Sequence, residues 1–262
     1  MFNVSKYPHG TFCWADCTST DQQSGKQFYS QVMGWTTEDL PLGGGMVYTN
    51  FRHEDKVVAA IAPNAPGTQN PHSVWNCYVN VENIEALADK VKALGGTIVM
   101  QPLTIFEQGR MMIIQDPTGA FLGLWEAKQH IGSQLVNTPG SMTWNELATR
   151  DPQRAESFFS QLFGWTFQTG PMDGYKNIFN QGRINGGMIT MDDAWEGLPP
   201  HWMVYFSVAN IEETAAKAEA LGGKLGTPIS DAPNTGRFAV ISDPQGAHFT
   251  AIQLMNPMPW NE

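Results

Sequence analysis

The chain has 262 residues, 42% of them hydrophobic and 15% charged, the balance of a folded globular protein rather than a disordered one. Its formal charge of −10 opposes a phosphate-neutralising surface, so neither nucleic acid nor anionic lipid is an expected partner. No apolar run approaches the roughly 18 residues of a membrane helix, and Met1 to Gly10 lacks an apolar secretory segment, so a cytoplasmic protein is expected.

In chain order, the first strand is predicted over Thr11 to Thr18. Residues four apart on a strand lie about 13 Å apart, too far for a disulfide. Cys13 and Cys17 therefore read as small apolar strand residues, and the odd cysteine, Cys77, suits a reducing compartment. Asp21 then caps a helix with an apolar stripe at Phe28, Val32 and Met33, and Gly34 ends it. Three short strands follow, around Trp35–Glu38, Met46–Arg52 and Lys56–Ile61. Gly43-Gly44-Gly45 precedes neither a helix nor a Lys-Ser/Thr pair, so it reads as a flexible edge loop rather than a phosphate loop. The pattern restarts with a strand over Val74–Val81 and a helix from Asn83 to Leu94-Gly95-Gly96. Strands at Thr97–Met100, Arg110–Gln115 and Phe121–Glu126 complete it.

The rest of the chain repeats this order. Gly10, Trp14, Asp21 and Gly34-Trp35 match Gly140, Trp144, Asp151 and Gly164-Trp165 at a shift of 130. Trp75, Asn83-Ile84-Glu85 and Asp116-Pro117-x-Gly119-Ala120 match Trp202, Asn210-Ile211-Glu212 and Asp243-Pro244-x-Gly246-Ala247 at a shift of 127. The three-residue difference falls in the turn between Thr36 and Tyr48, and loops absorb such deletions. The fold class is therefore α+β, four βαβββ modules arranged as two tandem domains, over residues 8–128 and 138–257 with a linker at 129–137.

Four βαβββ units with the Asp-capped helix, the Gly-Trp close and the Asp-Pro-x-Gly hairpin resemble the vicinal oxygen chelate superfamily, the glyoxalase, bleomycin-resistance and extradiol dioxygenase group. The resemblance spans about Pro8 to Pro257 and is greatest to its tandem-domain glyoxalase-like or hydroxylase branch. It implies paired modules curved into cups, with a divalent metal on the cup floor acting as a Lewis acid. The positions it implies for the metal ligands carry Trp14, Asn76 and Gly123 in the first half and Trp144, Met203 and Thr250 in the second. None is a good ligand, so no metal and no other cofactor is expected there. A two-residue slip keeps the strand face and brings in Asp16, Glu146 and His248. A divalent metal is expected only if Glu146 and His248 form a displaced site; His248 reads equally as a hydrogen-bonded wall residue.

Asp16 and Glu146 are the candidate catalytic carboxylates, since a carboxylate against an indole in a concave site has a raised pKa. A structural hydrogen bond shared by both halves is the competing reading. Trp14, Trp144, Asn76, His248, Thr250 and Trp125 are the candidate ligand-binding residues, lining cups of partly aromatic character. Arg110 and Arg237 would hold either an anionic ligand or a nearby carboxylate. Gly186-Gly187, matched by Ala59-Ala60, suggests close approach of a ligand or of the paired module. The expected partner is a small molecule. A monomer satisfies all four modules, a homodimer is the other possibility, and the choice between binding protein and enzyme stays open.

Overall fold

The computed structural model describes residues 2–64, 72–257 and 259–260. After a short β1 (Phe2–Asn3), the first half runs β2 (Thr11–Ser19), α1 (Gln22–Met33), β3 (Thr36–Gly43), β4 (Met46–His53), β5 (Lys56–Pro63), β6 (Val74–Asn80), α2 (Ile84–Ala93), β7 (Thr97–Ile105), β8 (Gly109–Gln115) and β9 (Phe121–Ala127). A two-residue strand, β10 (Leu135–Val136), leads into the second half. There the order is β11 (Met142–Thr149), α3 (Pro152–Phe163), β12 (Thr166–Thr169), β13 (Tyr175–Asn180), β14 (Arg183–Thr190), β15 (His201–Ser207), α4 (Ile211–Ala220), β16 (Lys224–Leu225), β17 (Ser230–Ala232), β18 (Gly236–Ser242) and β19 (His248–Leu254). The fold class is the α+β tandem arrangement read from the repeat.

Helix ends follow the local chemistry. Asp21 and Asp151 each accept a hydrogen bond from the amide three residues on, at 3.0 Å, and Pro152 fills the first turn of α3. Gly34 and Gly164 close α1 and α3 at φ 71° and 77°, a conformation that penalises any Cβ. The second strand of the last module departs from expectation. Where the first half has one continuous β7, the second has β16 and β17, separated by a segment containing Pro228, which lacks a ladder donor.

Each half forms its own sheet. The first has the order β3-β4-β5-β2-β6-β9-β8-β7, and the second follows β12-β13-β14-β11-β15-β19-β18-β16. The opening strands of the two modules lie side by side and antiparallel at the centre, β2 with β6 and β11 with β15. A register shift between Phe12 and Trp14 sets which residues of β2 face which side. Phe12, Ala15 and Cys17 join the main core; Trp14 joins a separate apolar cluster with Tyr78 and Trp125. All three cysteines are free and buried.

The main core is shared by the two halves. Helix α1 packs on α4 and α2 on α3. Two reciprocal bonds tie the halves together: the Trp35 indole donates to the Gly140 carbonyl (2.8 Å), and the Trp165 indole donates to the Gly10 carbonyl (2.7 Å). The Gly-Trp pairs that close α1 and α3 thus also anchor each half to the start of the other. Among the described residues no helix is long and apolar enough to cross a membrane.

Candidate functional site

The concave side of each sheet carries the same constellation. In the first cup Asp16 is 8% exposed and accepts from Asn76 Nδ2 (3.0 Å) and the Tyr48 hydroxyl (3.1 Å). The Tyr78 hydroxyl lies 3.3 Å from both of its oxygens. The Trp14 indole donates to the Tyr48 oxygen at 3.0 Å, completing a chain from indole to phenol to carboxylate. In the second cup Glu146 is 6% exposed. Tyr175 donates to its Oε2 at 2.7 Å and Tyr205 to its Oε1 at 2.8 Å, while the Trp144 indole donates to Tyr175 at 3.1 Å.

Tyr48 and Tyr175 are related by the shift of 127, as are Tyr78 and Tyr205. Sequence reasoning passed over all four. Their signal was available: a tyrosine at the same repeat position in both halves, on a strand whose alternation faces the cup.

Burial dominates the electrostatics. Desolvation raises the pKa of both Asp16 and Glu146, and the tyrosine and amide donors offset only part of that rise. The four tyrosines are pushed upward by burial first and by the adjoining carboxylate second, so they act as neutral donors.

Two glycines make room for these rings. A Cβ on Gly187 would overlap the Tyr175 hydroxyl, and a Cβ on Gly123 would overlap the Tyr78 ring. Gly186 instead faces the Asn145 carbonyl and Phe12, so the glycine pair serves both the cup and the paired half. In the first cup the position of Gly187 is held by Ala60, opposite the shorter Asp16.

The remaining candidates are distributed as follows. Asn76 bridges Asp16 and the Thr18 hydroxyl (2.9 Å). Trp125 is buried, and its indole donates to the His130 carbonyl at 2.8 Å. The His130 ring lies edge-on to Trp14 at 4.5 Å and to Trp125 at 5.6 Å, so the linker between the halves covers the first cup's indoles. Burial drops the His130 pKa to about 4. Thr250 is fully buried and pairs in register with Tyr205. His248 is exposed at the first residue of β19, and the His201 pKa is lowered by burial first and by the nearby His248 last. Arg110 and Arg237 meet carboxylates of the helices, Glu85 and Glu212.

This donor set does not suit a divalent metal. Glu146 and His248 share no hydrogen bond: each Glu146 oxygen accepts from a tyrosine, and His248 is exposed at the first residue of β19. Asp16 likewise accepts from three neutral donors. The space for a last-strand ligand at Gly123 is filled by the Tyr78 ring. Among the described residues no group of three or more His, Cys, Asp or Glu could hold an ion.

The comparisons with known proteins agree with this architecture. The family model for the Glyoxalase/Bleomycin resistance protein/Dioxygenase superfamily matches residues 14–124 and 132–250. A Mycobacterium tuberculosis protein provisionally named glyoxylase CFP32 is 42% identical over 253 residues, covering 95% of this chain and 97% of its own. The anthracycline biosynthesis protein DauV of a Streptomyces species is 28% identical, with 98% of both chains covered. Among solved structures, the Mn(II)-bound glyoxalase from Novosphingobium aromaticivorans superposes with a TM-score of 0.62 at 14% identity, covering 99% of this chain and 87% of its own. The 2,3-dioxygenase LapB from Pseudomonas gives 0.65 at 14% identity, covering 96% and 98%. At that identity the likeness is one of fold. The chain belongs to the Glyoxalase/Bleomycin resistance protein/Dioxygenase superfamily.

Proposed function

We propose that this protein is a small-molecule-binding member of its superfamily, holding an apolar or aromatic molecule in a cup without a divalent ion among the groups that hold it. One observation carries this reading. Where the superfamily resemblance implies a first-strand metal ligand, both cups have an indole that leads through a tyrosine to a buried, hydrogen-bonded carboxylate. Such a floor offers flat apolar surface and a few fixed polar groups, the usual make-up of a small-molecule site. The walls of the second cup add Met191, Met203, Ile189 and Trp195, which suit an aromatic guest. A relative named for anthracycline biosynthesis points to the same ligand class.

The second reading is a metal-dependent, glyoxalase-like lyase or isomerase, or an oxygenase, using a displaced site. The name of the mycobacterial relative and the manganese-bound neighbour favour it. Elemental analysis of the purified protein decides between them. The binding reading expects well under one transition metal per chain and quenching of tryptophan emission by neutral polycyclic aromatics. About one metal per chain, removed by a chelator together with activity on a 2-oxoaldehyde or catechol, overturns it. Glu146→Gln then reports whether the carboxylate acts: an enzyme that needs it loses turnover, while a binding cup keeps its affinity within a few fold.

A further inference from the structure

The segment that joins the halves is bonded along the first cup. The amides of Lys128 and His130 both donate to the Gln108 carbonyl (3.1 Å each), and that of Gln129 donates to the Glu107 carbonyl (3.2 Å), at the turn between β7 and β8. Further on, Ser133 donates its amide to the Cys13 carbonyl of β2 (2.8 Å) and Gln134 donates to the Val57 carbonyl of β5 (2.8 Å). The Gln134 side chain accepts in return from the Val57 amide (2.9 Å). Between these anchors Gly132 has a φ of 107° and lies so near β2 that a Cβ would overlap the Cys13 carbonyl. Glycine alone permits that approach. The linker is thus held to β2, to β5 and to the β7–β8 turn, and His130 is the ring it places over the cup.

That ring stands against both indoles of the first cup. It meets Trp14 at an interplanar angle of 87° and Trp125 at 70°, the edge-to-face geometry that aromatic pairs favour. Trp14 and Trp125 are themselves buried with Tyr78 in one apolar cluster. Trp125 spends its indole N–H on the His130 carbonyl, so the wall also grips the backbone behind the ring. The imidazole Nε2 is buried and meets no hydrogen-bond partner among the described residues. Packing on the indoles and the backbone anchors therefore place the ring. The residues of the second half that match this closure do not repeat it. Met255 donates its amide to the Thr235 carbonyl (2.9 Å) as Lys128 does to Gln108, which carries the shift of 127 past the last strand of each half. Trp125 is then matched by Ile252, which has no indole N–H, and His130 by Pro257, which is exposed and has no aromatic ring.

We infer that the first cup is a site occupied by the chain's own linker, with the His130 imidazole lying where a flat aromatic guest would lie, and that the second cup is the one that takes a guest from solution. The inference rests on the reading of the cups as small-molecule sites; it adds which cup is in use and what closes the other. An imidazole between two indoles is a neutral heteroaromatic in an apolar aromatic wall, so the first cup already displays the class of molecule it fits. Closure from within the chain needs no second molecule and is present at every concentration of guest, so an outside guest has to displace a tethered ring.

The test titrates 2-naphthol, uncharged at neutral pH, into the full-length protein and its variants by calorimetry, with a thermal melt to show that each variant is folded. The parent is expected to take one naphthol per chain. Ile189→Trp, which adds bulk to the second cup's wall, removes that site, and Trp195→Ala on the same wall weakens it tenfold or more. His130→Gly takes two naphthols per chain. His130→Ala does the same and keeps the test in force if glycine loosens the linker, while His130→Phe, which leaves the first cup filled, stays at one. Excess imidazole weakens the site gained by His130→Gly tenfold or more and leaves the other within twofold. Two sites in the parent, a single site in both His130→Gly and His130→Ala, or a parent site untouched by both second-cup variants would each overturn the inference. A single site in the two opened variants does so while the reading of the cups stands; no site in any of these proteins overturns that reading as well.

Discussion

Tyr29 and Phe159 occupy matching positions on α1 and α3, and a single hydroxyl separates them. The Tyr29 hydroxyl accepts from the Trp75 indole (2.8 Å) and donates to Asp243 Oδ2 (2.8 Å), so one atom satisfies a buried donor in its own half and a buried acceptor in the other. On the other side Phe159 stands beside Trp202, with ring centroids 5.6 Å apart. There Trp202 Nε1 and Asp116 Oδ2, the counterparts of Trp75 Nε1 and Asp243 Oδ2, are both buried without a partner. Phe159→Tyr should therefore stabilise the protein by about 1–2 kcal/mol. Tyr29→Phe should cost roughly 2–4 kcal/mol, because it leaves two orphaned groups at once. Urea denaturation of the two variants measures both. A destabilised Phe159→Tyr would mean that the pocket cannot admit the hydroxyl.

The cup carboxylates make stability depend on pH. Burial raises the Glu146 pKa above its unfolded value, so the folded protein holds this proton more tightly than the unfolded chain does. Stability from this group is full below the unfolded carboxylate pKa and declines as pH rises through the folded one. Glu146→Gln removes that loss, since an amide can both accept from one tyrosine and donate to the other. Relative to the parent, the variant should thus gain stability as pH rises above the ordinary carboxylate pKa of about 4, read as a widening Tm difference. Asp16→Asn should behave in the same way.

His130 has the opposite sign. Its pKa is lowered to about 4 by burial, so the unfolded chain takes up its proton first. The stability it supplies is complete above the ordinary histidine pKa and is lost as pH falls from about 6.5 towards 4. Its contacts with Trp14 and Trp125 make the event visible. A change in tryptophan emission centred near the folded pKa of about 4 is expected in the parent protein and absent in His130→Phe. An identical profile in the variant would detach the signal from this residue.

Gly187 is required by the ring opposite it. An added Cβ would overlap the Tyr175 hydroxyl and approach the Trp144 indole nitrogen at 3.0 Å. Gly187→Ala should therefore push Tyr175 off Glu146 and cost about 1–3 kcal/mol. Ala60→Gly in the first cup, where the pair is Asp16 and Tyr48, relieves no clash; it should cost only the extra backbone entropy of glycine and a small cavity, roughly 1 kcal/mol. Thermal melts of the two variants give the contrast.

The fold was legible because duplication wrote each signal twice. Asp21 and Asp151 cap, Gly34 and Gly164 terminate, and Trp35 and Trp165 follow at the same spacing, all through local chemistry that a linear reading detects. The site was legible only to the depth of one strand. Alternation along β2 and β11 put Trp14 beside Asp16 and Trp144 beside Glu146, two residues apart on a common face. The tyrosines that meet those carboxylates come from other strands, 29 to 62 residues away in sequence, and no local pattern marks them as partners.

By itself, then, the sequence determined the module order, the two-fold repeat and the helix ends, because each rests on residue type and short-range spacing. Tertiary structure decided what those residues became. It brought tyrosine hydroxyls onto Asp16 and Glu146, left His248 exposed at the start of β19, and drew His130 over the first cup's indoles. The physical reason is that hydrogen-bond saturation and packing are set by whichever side chain arrives from elsewhere in the chain. Two copies of one local pattern therefore acquire different surroundings once the halves share a core.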